Sequence, residues 1–176
     1  MIKEYKLPLT KAQVKELKVG QQIYLSGVIY TARDSAHKRL VNSISKGEEL
    51  PFCVEGNIIY YVGPTQKRPG HIIGSAGPTT ASRMDSYTPT LYELGLIATI
   101  GKGKRSRAVK KSIVDNKSIY FITIGGAGAY LSRCIKQAEV ISYDDLGAEA
   151  IYRLEVEKFP VIVAIDSFGN DIYQGR

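Results

Sequence analysis

The chain has 176 residues, of which 44% are hydrophobic and 23% charged, and its formal net charge is +7. This length and composition are typical of one soluble globular domain that buries its own core. No stretch approaches the length of a membrane span, and the amino terminus is charged from Lys3, so neither a span nor a signal peptide is predicted. We therefore expect a cytoplasmic protein with no membrane partner. Cys53 and Cys134 lack metal-ligand spacing, which indicates reduced thiols and no metal site in this chain.

The first third of the chain predicts a short helix, a strand and a second helix. Thr10 is expected to cap the first helix, which ends before Gly20, and residues 22–30 have the β-branched and aromatic residues of a strand. Asp34 or Ser35 is expected to cap the second helix, which ends at Gly47. The apolar face of that helix is formed by Ala36, Leu40, Val41 and Ile44.

Residues 57–63 predict the next strand, and the proline-, glycine- and charge-containing segment 65–71 predicts a loop. The stretch 77–87, GPTTASRMDSY, then combines a turn, hydroxyls, an arginine and an aspartate. Its backbone N–H groups, hydroxyls and guanidinium suit a carboxylate or phosphate ligand. Taken alone, the stretch is explained slightly better as a capped helix start with a surface ion pair.

Thr88 and Pro89 predict the start of a short helix that ends at Gly95, with Leu91 and Leu94 facing inward. Residues 96–101 predict a strand that ends directly at Lys102. The basic run 102–111 follows, and its pattern fits either a helix face or a loop. Its local concentration of charge is more informative than the net charge of the chain.

Residues 118–124 are strongly apolar and predict a buried strand. The glycine-rich segment 125–129 is expected to open a helix through close packing, because it lacks the spacing of a dinucleotide fingerprint or a P-loop. That helix would present Leu131, Cys134, Ile135 and Ala138 on one face. Two strand-like runs, 151–157 and 160–166, and a turn at 167–170 complete the chain. This order of elements indicates one α/β domain over residues 1–176.

Several segments taken together resemble a known family. They include ARDSAHKR at 32–39, YYVGP at 60–64, GPTTASRMDSY at 77–87, GKGKRS at 101–106, LGAEAI at 146–151 and DSFGND at 166–171. The chain is similar to the β subunit, or C-terminal domain, of class I fumarate hydratases and the related L-tartrate dehydratases. The resemblance implies a swivelling β/β/α-type fold with a mixed sheet and flanking helices.

The resemblance also implies a division of labour between two subunits. A partner α subunit would carry an oxygen-sensitive [4Fe-4S] cluster through its own cysteines, with one iron acting as a Lewis acid on the substrate. The absence of a cysteine cluster in the present sequence agrees with that arrangement. The present chain is then expected to be inactive alone, in a hetero-oligomer such as α2β2.

The resemblance assigns roles to individual residues. Thr79 matches a proposed general base toward the substrate C3 proton, with a substrate hydrogen bond as the other role open to it. The residues that match the family's carboxylate-binding arginines and its active-site lysine are Arg33, Arg83 and Lys102. The supporting residues expected to orient them or to be structural are Asp34, His37, Thr80 and Asp85. Two departures from the family pattern are Ser82 in place of a glycine and a spacing to Lys102 that is one residue shorter.

The leading functional prediction is the β subunit of a two-subunit iron–sulfur fumarate hydratase, a hydro-lyase that interconverts fumarate and L-malate. The alternative within this chemistry is L-tartrate dehydratase, whose substrate is a related small dicarboxylate. A different class, a nucleic-acid-binding module that uses the 102–111 run, is disfavoured because no aromatic residues are interleaved with its charges. We expect no specific nucleic-acid partner.

Overall fold

The computed structural model describes residues 1–124 and 126–174. Among them, seven β-strands alternate with five α-helices and two 3₁₀ segments. In chain order these are β1 Lys3–Lys6, α1 Lys11–Glu16, β2 Gln22–Thr31, α2 Asp34–Ser45, β3 Ile58–Tyr60, the 3₁₀ segment Ala81–Met84, α3 Thr88–Glu93, β4 Ala98–Gly101, α4 Arg107–Asn116, β5 Ile119–Ile122, α5 Gly128–Arg133, β6 Ile135–Ser142, the 3₁₀ segment Asp144–Glu149 and β7 Ile151–Ile165. The prediction of a mixed sheet with flanking helices is confirmed.

Five of the strands close into a ring. β2, β3, β4 and β5 run parallel to one another, and β7 pairs antiparallel with both β5 and β2. The ring closes at Ile162, which is paired with Gln22 on one side and Ile122 on the other. β1 adds to β2 and β6 adds to β7. Because β2, β3 and β4 are parallel, their carboxyl ends meet at one rim.

The alternation of side chains along the strands produces two cores. In β3, Ile58 and Tyr60 belong to the core inside the ring, whereas Ile59 belongs to the outer core. Successive residues of a strand face opposite sides of the sheet, so both faces of this ring must be covered. Helices α1 and α5 contribute Val14 and Leu131 to the inner core. The outer core contains apolar side chains of α2, α3 and α4, among them Leu40, Leu91 and Ile113.

The predicted caps of the first two helices had different outcomes. Thr10 caps α1 through a capping box with Gln13, as predicted. The prediction that Asp34 or Ser35 caps α2 is wrong, because the N-cap residue is Arg33 and its side chain makes no capping bond. Instead, the Ser35 N–H donates to the carboxylate of Glu149, at 3.2 Å. One free N–H group at the start of α2 is therefore bonded by a residue more than a hundred positions away. The local sequence cannot indicate such a contact.

Three further expectations require correction. The helix that follows residue 127 ends at Arg133, so Ile135 and Ala138 lie in β6 and do not share a helical face with Leu131. Leu94 is 43% exposed because α3 ends one residue before it. The runs 151–157 and 160–166 form one strand, β7. Gly125, the first residue of the predicted glycine-rich turn, lies outside the described residues.

The basic run is divided between a loop and a helix. Lys102 and the residues up to Ser106 precede α4, and Ser106 caps that helix by accepting a hydrogen bond from the Val109 N–H. The rest of the run lies on α4. Of the helices in the part of the chain that the structure describes, none is both long and apolar enough to cross a membrane.

Candidate functional site

The rim formed by the carboxyl ends of β2, β3 and β4 gathers the segments that carry the candidate residues. Arg33 follows β2, and Lys102 follows β4. The stretch 77–87 is joined to both neighbouring strands, because the Thr79 N–H donates to the Tyr61 carbonyl at 2.7 Å and the Lys102 N–H donates to the Thr79 carbonyl at 3.2 Å. Residues at this end of parallel strands are a usual source of ligand-binding groups.

Two arginines share one carboxylate at this rim. Arg83 Nε donates to Asp34 Oδ1 at 3.1 Å, and Arg83 Nη2 lies 3.0 Å from Asp34 Oδ2. Arg33 Nη2 lies 3.7 Å from the same Oδ2 atom, and the Arg33 Nε is buried without a hydrogen-bond partner among the described residues. Two guanidinium groups around one carboxylate leave a net positive charge, so this cluster can still accept an anion.

Thr79 and Lys102 are adjacent through their backbones. Thr80 and Lys102 form a parallel β-bridge, and the Ala81 N–H donates to the Lys102 carbonyl at 2.9 Å. The stretch thus adds a short strand-like edge beside β4. The hydroxyl of Thr79 makes no hydrogen bond to residues that the structure describes, and the Lys102 side chain is exposed. The backbones of Thr79 and Lys102 are therefore fixed by hydrogen bonds, whereas the Thr79 hydroxyl and the exposed Lys102 side chain are accessible to a ligand.

Two glycines allow close approaches at the rim. A Cβ atom at Gly63 would lie 2.9 Å from both Cδ and Nη1 of Arg33. Glycine at this position therefore leaves the space that the Arg33 side chain occupies. A Cβ at Gly101 would lie 2.8 Å from the Tyr61 ring and 3.3 Å from the Thr79 carbonyl. Both distances are shorter than ordinary van der Waals contact, so these positions need glycine for space.

His37 is fully buried behind Arg33. Its Nδ1 lies 2.8 Å from the Arg33 carbonyl, which only accepts, so Nδ1 carries the proton and donates. Burial lowers the pKa of His37 to about 4 despite this bond. The ring packs edge-on against Tyr61 and beside Tyr87, and Nε2 has no partner among the described residues. A neutral, buried imidazole at this place holds the backbone of Arg33.

Asp85 is part of a buried network that the sequence did not reveal. Arg105 Nε donates to Asp85 Oδ1 at 2.7 Å, and the Ser106 N–H donates to Asp85 Oδ2 at 2.7 Å. The Arg105 side chain is 0% exposed. Nothing in the local pattern of the basic run distinguishes Arg105 from its exposed neighbours.

The described residues do not provide a metal site. They contain no group of three or more His, Cys, Asp or Glu side chains placed to hold an ion. Cys53 is exposed and Cys134 is buried, and both are free thiols. Burial raises the pKa of Cys134, which makes it a weaker metal ligand and nucleophile. These residues therefore do not fit an iron–sulfur cluster.

Other segments that carry the family resemblance stabilise the framework of the fold. Asp145 forms an ion pair with Arg39 of α2, next to the Glu149 contact described above. Asp166 accepts hydrogen bonds from the N–H groups of Val19, Phe168 and Asn170. A cleft of about 340 Å³ between loop 65–75 and α5 contains none of the eight candidate residues.

The sequence of the chain matches one family model over nearly its whole length. The model is described as Fumarase C-terminus, and it matches residues 2–176. The chain belongs to the Fumarase C-terminus family. The segments at 32–39, 77–87 and 101–106 that carry the resemblance are the same segments that meet at the rim.

The chain covers most of one curated relative and about a third of two others. One, of Methanocaldococcus jannaschii, has the name "Putative L(+)-tartrate dehydratase subunit beta"; it is 40% identical over 94% of this chain and 88% of its own length. The anaerobic class I fumarate hydratase of Escherichia coli is 40% identical over 93% of this chain, and fumarate hydratase 2 of Leishmania major is 37% identical over 97%. The chain spans only 30% and 31%, respectively, of those two proteins.

Proposed function

We propose that the chain is the β subunit of a two-subunit, iron–sulfur-dependent fumarate hydratase that interconverts fumarate and L-malate. The observation that carries the proposal is the rim itself, where Arg33 and Arg83 flank Asp34 beside the backbone-paired Thr79 and Lys102. Membership of the Fumarase C-terminus family supports the reaction class. In this proposal the chain supplies half of an active site and is inactive alone.

The proposed role of the three cations is to bind and orient a small dianion. Arg83 uses one edge of its guanidinium on Asp34, and its remaining N–H groups are available to a substrate carboxylate. Asp34 is the positioning residue in this scheme, because its carboxylate holds Arg83 and lies near Arg33. Lys102 contributes a third positive charge from the next strand end. Cations that the protein already holds in place restrict the orientation of the substrate when it binds, so less orientational entropy is lost in the reaction itself.

Thr79 is the proposed base for the substrate C3 proton. Abstraction of that proton places negative charge on the adjacent carboxylate, and arginines stabilise this charge more in the transition state than in the ground state. Thr79 Oγ takes the proton as an alkoxide, a form that nearby cations favour. Its hydrogen-bonded backbone fixes the Cα position, so the approach of the oxygen depends on one side-chain rotation.

The [4Fe-4S] cluster is assigned to a partner α subunit because the described residues of this chain do not fit it. The name of one relative supports a separate partner, because the Methanocaldococcus jannaschii protein is named as a subunit beta. An α2β2 assembly with a larger iron–sulfur subunit, in the cytoplasm, follows as part of the proposal.

L-tartrate dehydratase is the second candidate, and one observation favours it. The Methanocaldococcus jannaschii relative, which is 40% identical over 94% of this chain, is named for L(+)-tartrate. The two substrates share both carboxylates, so the same three cations serve either. Discrimination by one hydroxyl needs groups that the rim of this chain does not specify by itself.

The experiment is coexpression of the chain with the iron–sulfur α subunit from the same source, followed by anaerobic cluster reconstitution. Fumarate, L-malate and tartrate are then assayed with the complex, with this chain alone and with the partner alone. The proposal expects turnover of fumarate and malate by the complex only. Turnover of tartrate alone would replace the fumarase assignment by the second candidate, and no turnover of any of the three by a cluster-loaded complex would remove both.

A further inference from the structure

Arg105 is the most completely enclosed charged side chain of the rim. Besides its 2.7 Å bond to Asp85, its Nη2 donates to the Tyr61 hydroxyl at 3.1 Å and to Thr88 Oγ1 at 3.0 Å. Its Nη1 donates to Thr99 Oγ1 at 3.2 Å. The guanidinium also lies against the rings of Tyr61 and Tyr120, with centroid distances of 5.2 and 4.7 Å. The planar guanidinium group of Arg105 is therefore hydrogen-bonded to residues from several separate elements.

Three partners of Arg105 are linked to residues of the proposed site, either along the chain or by a backbone hydrogen bond. Asp85 is two residues after Arg83 and is the C-cap of the 3₁₀ segment that carries it. The carbonyl of Tyr61 accepts the hydrogen bond from the Thr79 N–H. Thr99 lies on β4, three residues before Lys102. The Arg105 side chain thus connects the segments that carry Arg83 and Lys102 with the residue that binds the Thr79 backbone, in addition to the direct backbone bonds between Thr79 and Lys102.

We propose that Arg105 is a positioning residue that fixes the relative placement of Thr79, Arg83 and Lys102. The part of this inference that concerns turnover rests on the proposed function. The part that concerns backbone order at the rim does not. Arg105 touches no substrate in this scheme, since its side chain is fully buried and its N–H groups are used by protein acceptors.

Stability alone does not account for an arginine at this place. Burial of a charge costs solvation, and well-packed apolar side chains often replace buried ion pairs without loss of stability. An apolar side chain, however, cannot fix the relative positions of the four oxygen atoms that accept hydrogen bonds from Arg105. A lysine keeps the charge, but its ammonium is a point charge without the planar fork, so it cannot span the same set of acceptors.

The first test measures amide hydrogen exchange in the full chain with Arg105→Lys. Three amides report on the rim, those of Thr79, Ala81 and Lys102, and the Val163 amide, bonded to the Gln21 carbonyl, reports on the ring. We expect exchange at least about tenfold faster at the rim amides and unchanged at Val163. Arg107→Lys, at an exposed position two residues later, is the matched control and leaves all four unchanged. Unchanged rim amides, or an equal increase at Val163, overturn the inference.

The second test uses the complex with the α subunit. Loss of positioning raises KM for the dicarboxylate about tenfold or more at equal folded concentration, with a smaller change in kcat. A merely structural role lowers apparent kcat in proportion to the folded fraction and leaves KM unchanged, which overturns the inference. If the parent complex has no dicarboxylate activity, the proposed function fails, and the exchange data alone decide the role of Arg105.

If Arg105→Lys does not fold, Asp85→Asn tests the same network from its other end. The asparagine keeps one acceptor oxygen for Arg105 Nε but turns an N–H donor toward the Ser106 N–H. Faster exchange confined to the rim amides supports the proposal. Unaltered rim amides in a folded Asp85→Asn chain contradict it.

Discussion

Arg83 is held by a protein carboxylate and yet remains half-exposed, which separates its proposed function from the stability of the fold. Its side chain is 51% exposed, and its ion pair with Asp34 is therefore expected to contribute less than about 1 kcal/mol to the free energy of unfolding. Replacement by alanine removes the guanidinium N–H groups that are proposed to bind a substrate carboxylate. We predict that Arg83→Ala lowers kcat/KM of the assembled enzyme by about 10²-fold or more.

The Arg83→Ala prediction is checked by parallel measurements of turnover and thermal unfolding. Arg107→Ala removes an exposed arginine at the start of α4 and serves as the matched control, with near-parental turnover. Turnover within about twofold of the parent for Arg83→Ala would show that the role carried over from the family is wrong for this chain.

His37 gives the free energy of unfolding a specific dependence on pH. In the unfolded chain its imidazole takes up a proton near pH 6.5, whereas burial lowers the pKa of the folded one to about 4. Between these values the unfolded state binds more protons, so stability is lost as the pH falls. The contribution lost by His37 between pH 7.5 and pH 5 is about 2 kcal/mol.

The variant His37→Asn isolates this effect, because the asparagine amide can replace the Nδ1–H donor but does not titrate. We predict a lower free energy of unfolding at pH 7.5, from the lost contacts with Tyr61 and Tyr87, and a decrease toward pH 5 that is about 2 kcal/mol smaller than in the parent. Urea titrations at both pH values measure it. His71→Asn, at an exposed position, is the control, and an equal pH dependence in His37→Asn would contradict the argument.

At the scale of elements, the end of β3 controls the placement of Arg33. Gly63→Ala would put a methyl group 2.9 Å from Arg33 Cδ and Nη1, and a long side chain can move away at little cost in stability. We predict that this variant raises KM for the dicarboxylate about tenfold while the melting temperature changes little. Gly77→Ala is the control from within the rim, because its methyl group meets only an ordinary contact at 3.6 Å from Gly128. Equal KM values for the two variants would contradict a steric role for Gly63.

The elements also show which parts of the fold were predictable from the sequence. The cap of α1 was predictable because donor and acceptor lie three residues apart, and β2 and β5 because β-branched and aromatic residues predominate in both. β6 was not, because its edge position leaves Lys136, Gln137 and Glu139 exposed, and pairing with β7 decides its conformation. Strand preference depends on such neighbours more than on the residue itself.

At the scale of the whole molecule, the candidate site was predictable only through the family resemblance. Taken alone, the pattern of residues 77–87 slightly favours a capped helix start with a surface ion pair, and such a pair exists between Arg83 and Asp34. The partner, however, is 49 residues away in sequence. The closed ring brings the ends of β2, β3 and β4 to one rim, and no local pattern contains that closure. Arg105 was missed for the same reason, since its partners come from four different segments.

The distribution of charge over the whole molecule bears on the nucleic-acid alternative. The 102–111 run contains six basic residues, but the structure does not present them as one surface. Arg105 is buried, Lys110 pairs with Asp171 at 3.1 Å, and Lys111 pairs with Asp115. A groove that follows a phosphate backbone needs several exposed cations in register, with aromatic rings between them for single strands.

We therefore predict weak, non-specific binding of nucleic acid by the full chain. The dissociation constant for a labelled 20-nucleotide single strand or duplex is expected to be no tighter than about 10⁻⁵ M at 150 mM salt. Fluorescence anisotropy at two salt concentrations measures both affinity and its salt slope. Charge reversal of one exposed residue of the run, Arg107→Glu, should change the binding little, because Lys110 and Lys111 on the same helix are already paired with carboxylates. Submicromolar affinity with a steep salt slope, abolished by Arg107→Glu, would instead assign this face to nucleic acid.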